Sequence, residues 1–326
     1  MSNTPRAMRD AFLERIHAAM KTDEQIFFVT ADFGSPVLDK IRADFPARFA
    51  NVGIAEQNLI NVASGLAIEG FKVFAYAIAP FITMRCYEQI RVNLCLLSEV
   101  RPMNVTLIGV GAGYSYVVSG PTHQCYEDLT IMRALPNMAV YSPSDHVSTA
   151  ALFDECLERR GLKYLRLDAQ VLPVVYESTP DLNVGFTVQR QGEKVCLLAT
   201  GYMLHVAQKV AARLALQRRS IGVIDLFSIS RFDRVELAKA LAGYRGLVTM
   251  EEGFRGRGGV DSMMFEFIAR RNLPIRMFNV GVEGAYRFEL GTRSELHEQV
   301  GIGEVTVTET VNNFLENLDC PKPLEA

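Results

Sequence analysis

The sequence has almost no excess of charge of one sign. Its 326 residues carry 34 Lys and Arg against 37 Asp and Glu, which gives a net charge of −3, and acids and bases are interspersed. Proteins that bind nucleic acid or anionic membrane surfaces usually concentrate basic residues in runs or patches. We therefore expect no nucleic-acid partner and no membrane partner.

Long apolar runs are also missing. A membrane-spanning helix needs about 18 or more consecutive apolar residues, and the longest candidate, residues 71–84, contains Lys72 and Pro80. Residues 1–10 are polar and lack the apolar centre of a secretory signal peptide. The sequence therefore predicts a cytoplasmic protein.

Cysteine is scarce, and its spacing excludes the usual metal motifs. There is no Cys-x-x-Cys pair and no combination of His and Cys at metal-ligand spacing, so we expect reduced core thiols of a cytosolic protein. A metal site made by this chain alone is not predicted. The six cysteines are Cys86, Cys95, Cys125, Cys156, Cys196 and Cys320.

Several catalytic signatures are absent as well. The glycines of Gly109-x-Gly111-x-Gly113 follow a predicted strand, but they lack the spacing of a dinucleotide-binding fingerprint. No Walker A sequence and no Gly-x-Ser-x-Gly nucleophile turn occurs. A second glycine-rich loop, residues 253–259, fits either an anion cradle or simple turn chemistry, and we favour the turn.

What the chain does contain is a regular alternation of predicted strands and helices. This pattern indicates an α/β fold with two parallel-sheet domains, and the length of 326 residues agrees with two domains. We place the first domain at residues 1–175, a linker at 176–192 and the second domain at 193–326. The linker prediction depends on Pro180 and on the scarcity of periodic apolar residues around it.

The first domain contains an acid in an unusual setting. Apolar residues recur three or four apart from Glu56 to Ala67, which predicts a helix that begins at Glu56 and stops at Gly70. Because this helix is apolar almost all round, we expect Glu56 to be buried. A buried carboxylate is costly unless it has a charged or hydrogen-bonded partner. Two interpretations stay open: a carboxylate favoured by the helix dipole, or an acid at a functional site.

Other candidate residues follow predicted strands. Ser35 lies in a loop after the strand at 26–30, and His123 lies in the long Gly/Ser-rich loop 111–124. In open α/β sheets, ligands bind at the carboxyl ends of strands. Arg166 lies on a predicted buried strand, where a charged side chain is rare unless it pairs with an anion or an acid. The residues alone therefore predict a two-domain α/β protein with an acid and a histidine in a cleft.

Three segments together resemble the transketolase family of thiamine diphosphate enzymes. They are Gly53-Ile54-Ala55-Glu56-Gln57, Pro80-Phe81 with the helix after it, and Gly120-Pro121-Thr122-His123-Gln124. Their order and separation are similar to those of the family's pyrimidine-binding domain, and Glu251-Glu252-Gly253 is similar to its C-terminal domain. The resemblance covers residues 7–315.

This resemblance implies roles for the candidate residues. In the family, the acid at the position of Glu56 hydrogen-bonds N1′ of the cofactor's aminopyrimidine, and Phe81, Met84 and Tyr87 match the pyrimidine pocket, with Phe81 as the stacking ring. His123 matches a histidine that contacts the substrate near the reacting carbon. The remaining substrate-binding residues are predicted at Ser35 and Arg166, which match phosphate contacts, and at Ser119.

Two departures from the family pattern matter. The chain lacks the Gly-Asp-Gly…Asn motif that binds the diphosphate through a metal, so it resembles the C-terminal half of a split transketolase. The resemblance then implies a partner subunit that holds Mg²⁺ or Ca²⁺, in an α2β2 assembly. Gly111 and Ser119 stand where the family has a substrate-binding histidine and aspartate, which favours an unusual sugar or sugar phosphate.

The predicted function is transfer of a two-carbon ketol unit from a ketose to an aldose. Three alternatives stay open: the β subunit of a 2-oxo acid dehydrogenase, a 1-deoxyxylulose-phosphate synthase-like half, and a non-catalytic assembly or regulatory partner. Against the last, a scaffold subunit would not need an unpaired buried acid at position 56.

Overall fold

Two sheets form the framework of the chain, which the computed structural model describes from residue 4 to residue 319. Within that range the first sheet has six parallel strands, in the spatial order β2-β1-β3-β4-β6-β5. These strands are β1 (Ile26–Thr30), β2 (Phe49–Asn51), β3 (Lys72–Ile78), β4 (Asn104–Val110), β5 (Met138–Tyr141) and β6 (Gly161–Leu167).

Helices cover both faces of the first sheet, which explains why its central strands are almost continuously apolar. Strand β4, for example, is buried over six of its seven residues. The helices are α1 (Met8–Ala19), α2 (Pro36–Asp44), α3 (Glu56–Ile68), α4 (Tyr87–Gln89), α5 (Asp128–Arg133) and α6 (His146–Glu158). The predicted start of α3 at Glu56 and its stop near Gly70 are confirmed.

The segment between β3 and β4 is helical but irregular. Two π-helical stretches, Phe81–Arg85 and Ile90–Leu96, flank the short helix α4. A π-helix bonds residue i to residue i+5 and is frequent at functional sites. Its wider turn brings residues four and five apart onto one face, so the three-residue spacing of Phe81, Met84 and Tyr87 does not align these side chains.

The second sheet is mixed, and in the described part of the chain it has the order β11-β10-β8-β9-β7. Its strands are β7 (Thr187–Arg190), β8 (Val195–Ala199), β9 (Ile221–Asp225), β10 (Gly246–Phe254) and β11 (Arg276–Val282). Strand β7 runs antiparallel to β9 at the sheet edge, and the others are parallel. The part of the predicted linker at 187–190 is therefore a strand.

Helices also flank the second sheet. They are α7 (Met203–Leu216), α8 (Arg234–Leu241), α9 (Val260–Arg271), α10 (Arg293–Gln299) and α11 (Glu304–Asp319). The last two were not predicted from the sequence. Between residues 4 and 319, no helix is both long and apolar enough to cross a membrane.

Five of the six cysteines are buried in the described part of the chain. Cys86, Cys95, Cys125, Cys156 and Cys196 are buried free thiols, as the sequence predicts. Burial raises the pKa of each of these thiols, so they are neutral at physiological pH. Cys320 lies outside the described residues.

Candidate active site

Glu56 is a buried acid at a loop-to-helix junction. It is the first residue of α3 and only 4% exposed. The loop before it is fixed by Asn51, whose side-chain oxygen accepts hydrogen bonds from the amides of Asp32 and Gly53, both at 3.0 Å. Gly53 has a φ of 75°, a left-handed conformation that suits glycine. The carboxylate thus sits at a rigid position near the carboxyl edge of the first sheet.

The charged partner of Glu56 is Arg85. Nη1 of Arg85 donates to both carboxylate oxygens of Glu56, at 3.1 Å and 3.2 Å. The arginine side chain is 47% exposed, and it lies with Glu56 on an open cleft lined by residues 54–58, Asn61 and Arg85. Glu56 is therefore not unpaired, as the sequence analysis assumed. A non-catalytic role can no longer be argued against on that ground.

A row of planar groups continues from this ion pair. The guanidinium carbon of Arg85 lies 3.7 Å from the centre of the Phe81 ring. The Phe81 ring also meets His123, with ring centres 5.2 Å apart and planes at 67°. On its other side His123 meets the Tyr116 ring at 6.2 Å. The structure thus brings together Glu56, Phe81 and His123, three of the residues that sequence analysis selected.

The other two predicted pyrimidine contacts are placed differently. Met84 is 41% exposed and is not among the residues lining the Glu56 cleft. Tyr87 lines a separate groove with Arg91, and its hydroxyl donates to the carbonyl of Ile131 at 2.9 Å. The roles of Met84 and Tyr87 as pyrimidine contacts stay predictions.

Of the predicted substrate residues, Ser35 is engaged locally and Ser119 is exposed. Ser35 is the N-cap of α2, where its Oγ accepts the amide of Leu38 at 3.2 Å. This cap accounts for a serine at that position without a phosphate. Ser119 lies on the surface of the loop before His123. Substrate binding by both residues stays a prediction.

Arg166 does not face a cleft. It is 2% exposed, and its Nε donates to Asp128 at 2.8 Å, an oxygen that also accepts the Tyr164 hydroxyl at 2.8 Å. Burial opposes the charge of Arg166, yet the carboxylates of Asp128 and Glu252 raise its pKa further above the ordinary value. Its predicted phosphate role is corrected: the buried charge is matched by an acid inside the protein.

A second buried ion network joins the two domains. Arg293 binds Glu252 through Nε at 3.0 Å and Nη2 at 2.6 Å, and its Nη1 binds Asp168 of the first domain at 2.6 Å. His297 adds a contact to Glu252 at 2.6 Å. Burial alone would raise the pKa of Glu252, but Arg293 and His297 hold it well below the ordinary range. This network is structural, and it was not predicted.

The glycine-rich loop 253–259 is occupied by the protein's own side chains. Asp261 Oδ2 accepts the amide of Gly256 at 2.5 Å, and Ser262 Oγ accepts the amide of Gly258 at 3.2 Å. A carboxylate thus already takes the place that an external anion would need. The turn interpretation fits this loop better than the anion cradle.

Tyr116 takes the space of the residue that the family pattern would have at position 111. Gly111 has a φ of 107°, and a Cβ added to it would overlap the Tyr116 ring. Burial raises the pKa of the Tyr116 hydroxyl to about 12, so it stays neutral at physiological pH. A neutral phenol ring therefore lies beside His123.

These groups fit one half of a thiamine diphosphate site. A buried carboxylate opening on a cleft beside the face of Phe81 suits a planar aminopyrimidine that offers a ring nitrogen and an aromatic face. Among residues 4–319, no group of three or more His, Cys, Asp or Glu side chains is arranged to hold a metal ion. The fit to the pyrimidine end of the cofactor depends on Glu56 and Phe81 alone.

Comparison with known proteins agrees with this geometry. The model for the pyrimidine-binding domain of transketolase matches residues 4–174, and the model for the transketolase C-terminal domain matches residues 186–310. The chain belongs to the transketolase family. Together these matches confirm the resemblance that the sequence suggests, and they identify this transketolase chain as the C-terminal part of the family's architecture.

Two relatives that the chain covers almost completely are named as transketolase subunits. The chain is 30% identical over 305 residues to one subunit of the apulose-4-phosphate transketolase of Actinobacillus succinogenes, covering 93% of this chain and 96% of the relative. It is 27% identical to the 6-deoxy-6-sulfo-D-fructose transketolase subunit SqwH of a Clostridium species, covering 95% and 94%. A solved split-gene transketolase, an inactive beta4 tetramer, superposes with a TM-score of 0.83 at 30% identity, covering 96% and 99%.

Sequence reasoning missed Arg85 and Tyr116, two residues of this transketolase site. Arg85 follows Phe81 by four positions in a predicted helix, and that spacing, at which side chains are neighbours, was the available signal. Tyr116 lies in the loop that sequence analysis selected for His123. Its signal was the glycine at position 111, since a missing side chain leaves room that another residue fills.

Proposed function

We propose that this chain is the C-terminal, pyrimidine-binding subunit of a split transketolase that depends on thiamine diphosphate. With a partner subunit, it transfers a two-carbon ketol unit from a ketose or ketose phosphate to an aldose acceptor. The observation that carries this proposal is the buried Glu56 carboxylate, which lies on an open cleft and is connected through Arg85 to the rings of Phe81 and His123.

When bound, thiamine diphosphate supplies the carbanion chemistry that breaks and forms the carbon–carbon bond. Glu56 would hold a proton at N1′ of the aminopyrimidine, which is general acid–base work by a positioned carboxyl. Phe81 would give the ring an aromatic face. Nδ1 of His123 lies 2.9 Å from the Thr122 hydroxyl oxygen, and Nε2 would exchange a proton with the substrate oxygen on which charge develops.

The partner subunit would supply the other half of the site. We infer that it carries the Gly-Asp-Gly…Asn motif and holds the diphosphate through Mg²⁺ or Ca²⁺, in an α2β2 assembly. Exposed apolar side chains beside the cleft support a covering surface: Ile54 is 76% exposed, and Met84 is also exposed. The split-transketolase relatives support the same division into two subunits.

For the donor we propose a modified ketose rather than a common pentose phosphate. The two relatives described above are named for different modified sugars, apulose 4-phosphate and 6-deoxy-6-sulfo-D-fructose. In this chain, Gly111 and Ser119 replace two polar side chains of the family pattern, and Tyr116 fills the space beside Gly111. A different set of wall contacts is expected to select a different sugar.

The proposal is tested with Glu56→Gln, which keeps the size of the side chain and removes its acid. In the reconstituted two-subunit enzyme, we expect ketol transfer to fall by a factor of about 100 or more, the scale of general acid–base catalysis. Glu69→Gln, an exposed acid at the far end of α3, is the matched control and should retain activity. Near-normal transfer by Glu56→Gln would refute the assignment, and decarboxylation of pyruvate by the wild-type pair would instead favour a 2-oxo acid dehydrogenase subunit.

A further inference from the structure

Arg85 has a geometry that its role as an ion-pair partner does not explain. Its guanidinium lies over Phe81, with its central carbon 3.7 Å from the ring centre. From that position, one nitrogen reaches both oxygens of Glu56. Nearly half of the Arg85 side chain is exposed, whereas Glu56 is buried. The guanidinium therefore sits at the mouth of the site, between the acid and the solvent.

A spacing of four residues within one helical stretch makes this arrangement possible. Phe81 and Arg85 are the first and last residues of the stretch Phe81–Arg85. In the wider turn, side chains four positions apart lie side by side, so the arginine folds back over the ring. Individually, the stacking and the half-exposed ion pair are each weak interactions. The contact can therefore give way when another group pairs with Glu56.

A guanidinium and an aminopyrimidine make the same two demands on a protein. Each is planar, each stacks on an aromatic face, and each can present a nitrogen-bound proton to a carboxylate. Here both demands are met by Glu56 and Phe81, the residues assigned to the cofactor ring. Arg85 and the ring cannot hold the same carboxylate oxygens and the same face together.

We propose that Arg85 occupies the place of the aminopyrimidine in the free chain and is displaced when the cofactor ring binds. This inference rests on the proposed function. Before the site is filled, the arginine compensates the buried charge of Glu56, which would otherwise be costly. Arg85 is thus a built-in competitor that lowers cofactor affinity while it stabilises the empty site.

Removal of this competitor should strengthen cofactor binding. In the reconstituted two-subunit complex, we expect Arg85→Ala to lower the dissociation constant of thiamine diphosphate, measured by calorimetry with Mg²⁺, by about three- to tenfold. Arg85→Lys keeps the charge but loses the planar fork, and should lie between the wild type and Arg85→Ala. Arg91→Ala removes an exposed arginine of the same segment that lines a separate groove, and controls for the change in net charge.

Each outcome decides the matter. Tighter binding by Arg85→Ala with no change in Arg91→Ala supports the competitor. Weaker or unchanged binding by Arg85→Ala, in a complex whose wild type binds the cofactor, overturns this inference and leaves the proposed function intact. If the wild-type complex does not bind thiamine diphosphate, both fail. A map of the loaded complex adds a second readout: the Arg85–Glu56 contact should be broken, and its persistence would also overturn the inference.

Discussion

Asp225 offers a pH-dependent test of the domain interface. It ends β9, is fully buried, and its Oδ2 accepts the hydroxyls of Ser144 and Tyr176, each at 2.7 Å. Its other oxygen has no hydrogen-bond partner among residues 4–319. Burial, partly offset by these two hydrogen bonds, raises the pKa of Asp225 from 3.8 to about 7. The folded protein therefore keeps a proton on this carboxyl that the unfolded chain has released.

The sign and size of the effect follow from this difference. Between pH 4 and pH 7 the unfolded chain binds fewer protons at this group, so its contribution to stability falls as pH rises. At about 1.4 kcal/mol per pKa unit, the rise to about 7 corresponds to a loss of about 4 kcal/mol across that window. Above pH 8 the contribution no longer changes. Glu251 has a similarly raised pKa of about 7 and Glu252 a lowered one, so the total curve mixes several groups.

Comparison of the wild type with Asp225→Asn separates the contribution of the Asp225 proton from those of the other groups. Asn keeps an oxygen that accepts the hydroxyls of Ser144 and Tyr176. Its amide nitrogen changes the free energy of unfolding by an amount that does not depend on pH. In urea unfolding at pH 5, 6, 7 and 8, we expect the stability difference between the two proteins to shift by about 2 kcal/mol from pH 5 to pH 7, in favour of the variant. Asp39→Asn, an exposed acid on α2, should run parallel to the wild type. If stability changes with pH in the same way for Asp225→Asn and the wild type, Asp225 does not retain a proton in the folded protein.

Two further changes test the assignments of individual residues. Arg293→Met removes the cation between Glu252 and Asp168 and should lower the free energy of unfolding, measured in urea, by about 3–5 kcal/mol. The control Arg219→Met breaks a more exposed ion pair with Glu316 and should lower it by at most about 1 kcal/mol. Tyr87→Phe loses the hydrogen bond to Ile131, and should cost about 1 kcal/mol of stability. Because that hydroxyl lies outside the Glu56 cleft, the calorimetric affinity of the reconstituted complex for thiamine diphosphate should be unchanged, and a marked loss would restore Tyr87 to the pyrimidine pocket.

The parts of the fold that could be predicted were those with strong local patterns. Buried central strands such as β4 are continuous apolar runs, and α3 has a clear start at Glu56 and a glycine stop. Strand β7 could not be predicted because all four of its residues, Thr-Val-Gln-Arg, are only half-buried at a sheet edge. Helix α10 is short and mostly polar, and its capping box of Thr292 and Glu295 is the only local signal.

Buried charges show where sequence reasoning reached its limit. The pattern around Arg166 required an anion or an acid, and the sequence could not say which, because the answer lies on a distant segment. Asp128 is 38 residues away, and Asp168 and Glu252 meet Arg293 from positions 125 and 41 residues away. Such partners come together only after both sheets have formed. The resemblance to a family then favoured the external phosphate, and the structure favours the internal acid.

The candidate site shows the same limit at short range. A spacing of three residues predicts a common face only if the segment is an α-helix, and here a π-helical stretch begins at Phe81. Arg85 lies over the Phe81 ring, and Tyr87 lines a groove with Arg91. The structure thus adds a cation to the site that the spacing of the aromatic residues did not indicate. The identity of the acid could be predicted from the sequence, whereas the set of groups that surrounds it depends on this turn geometry.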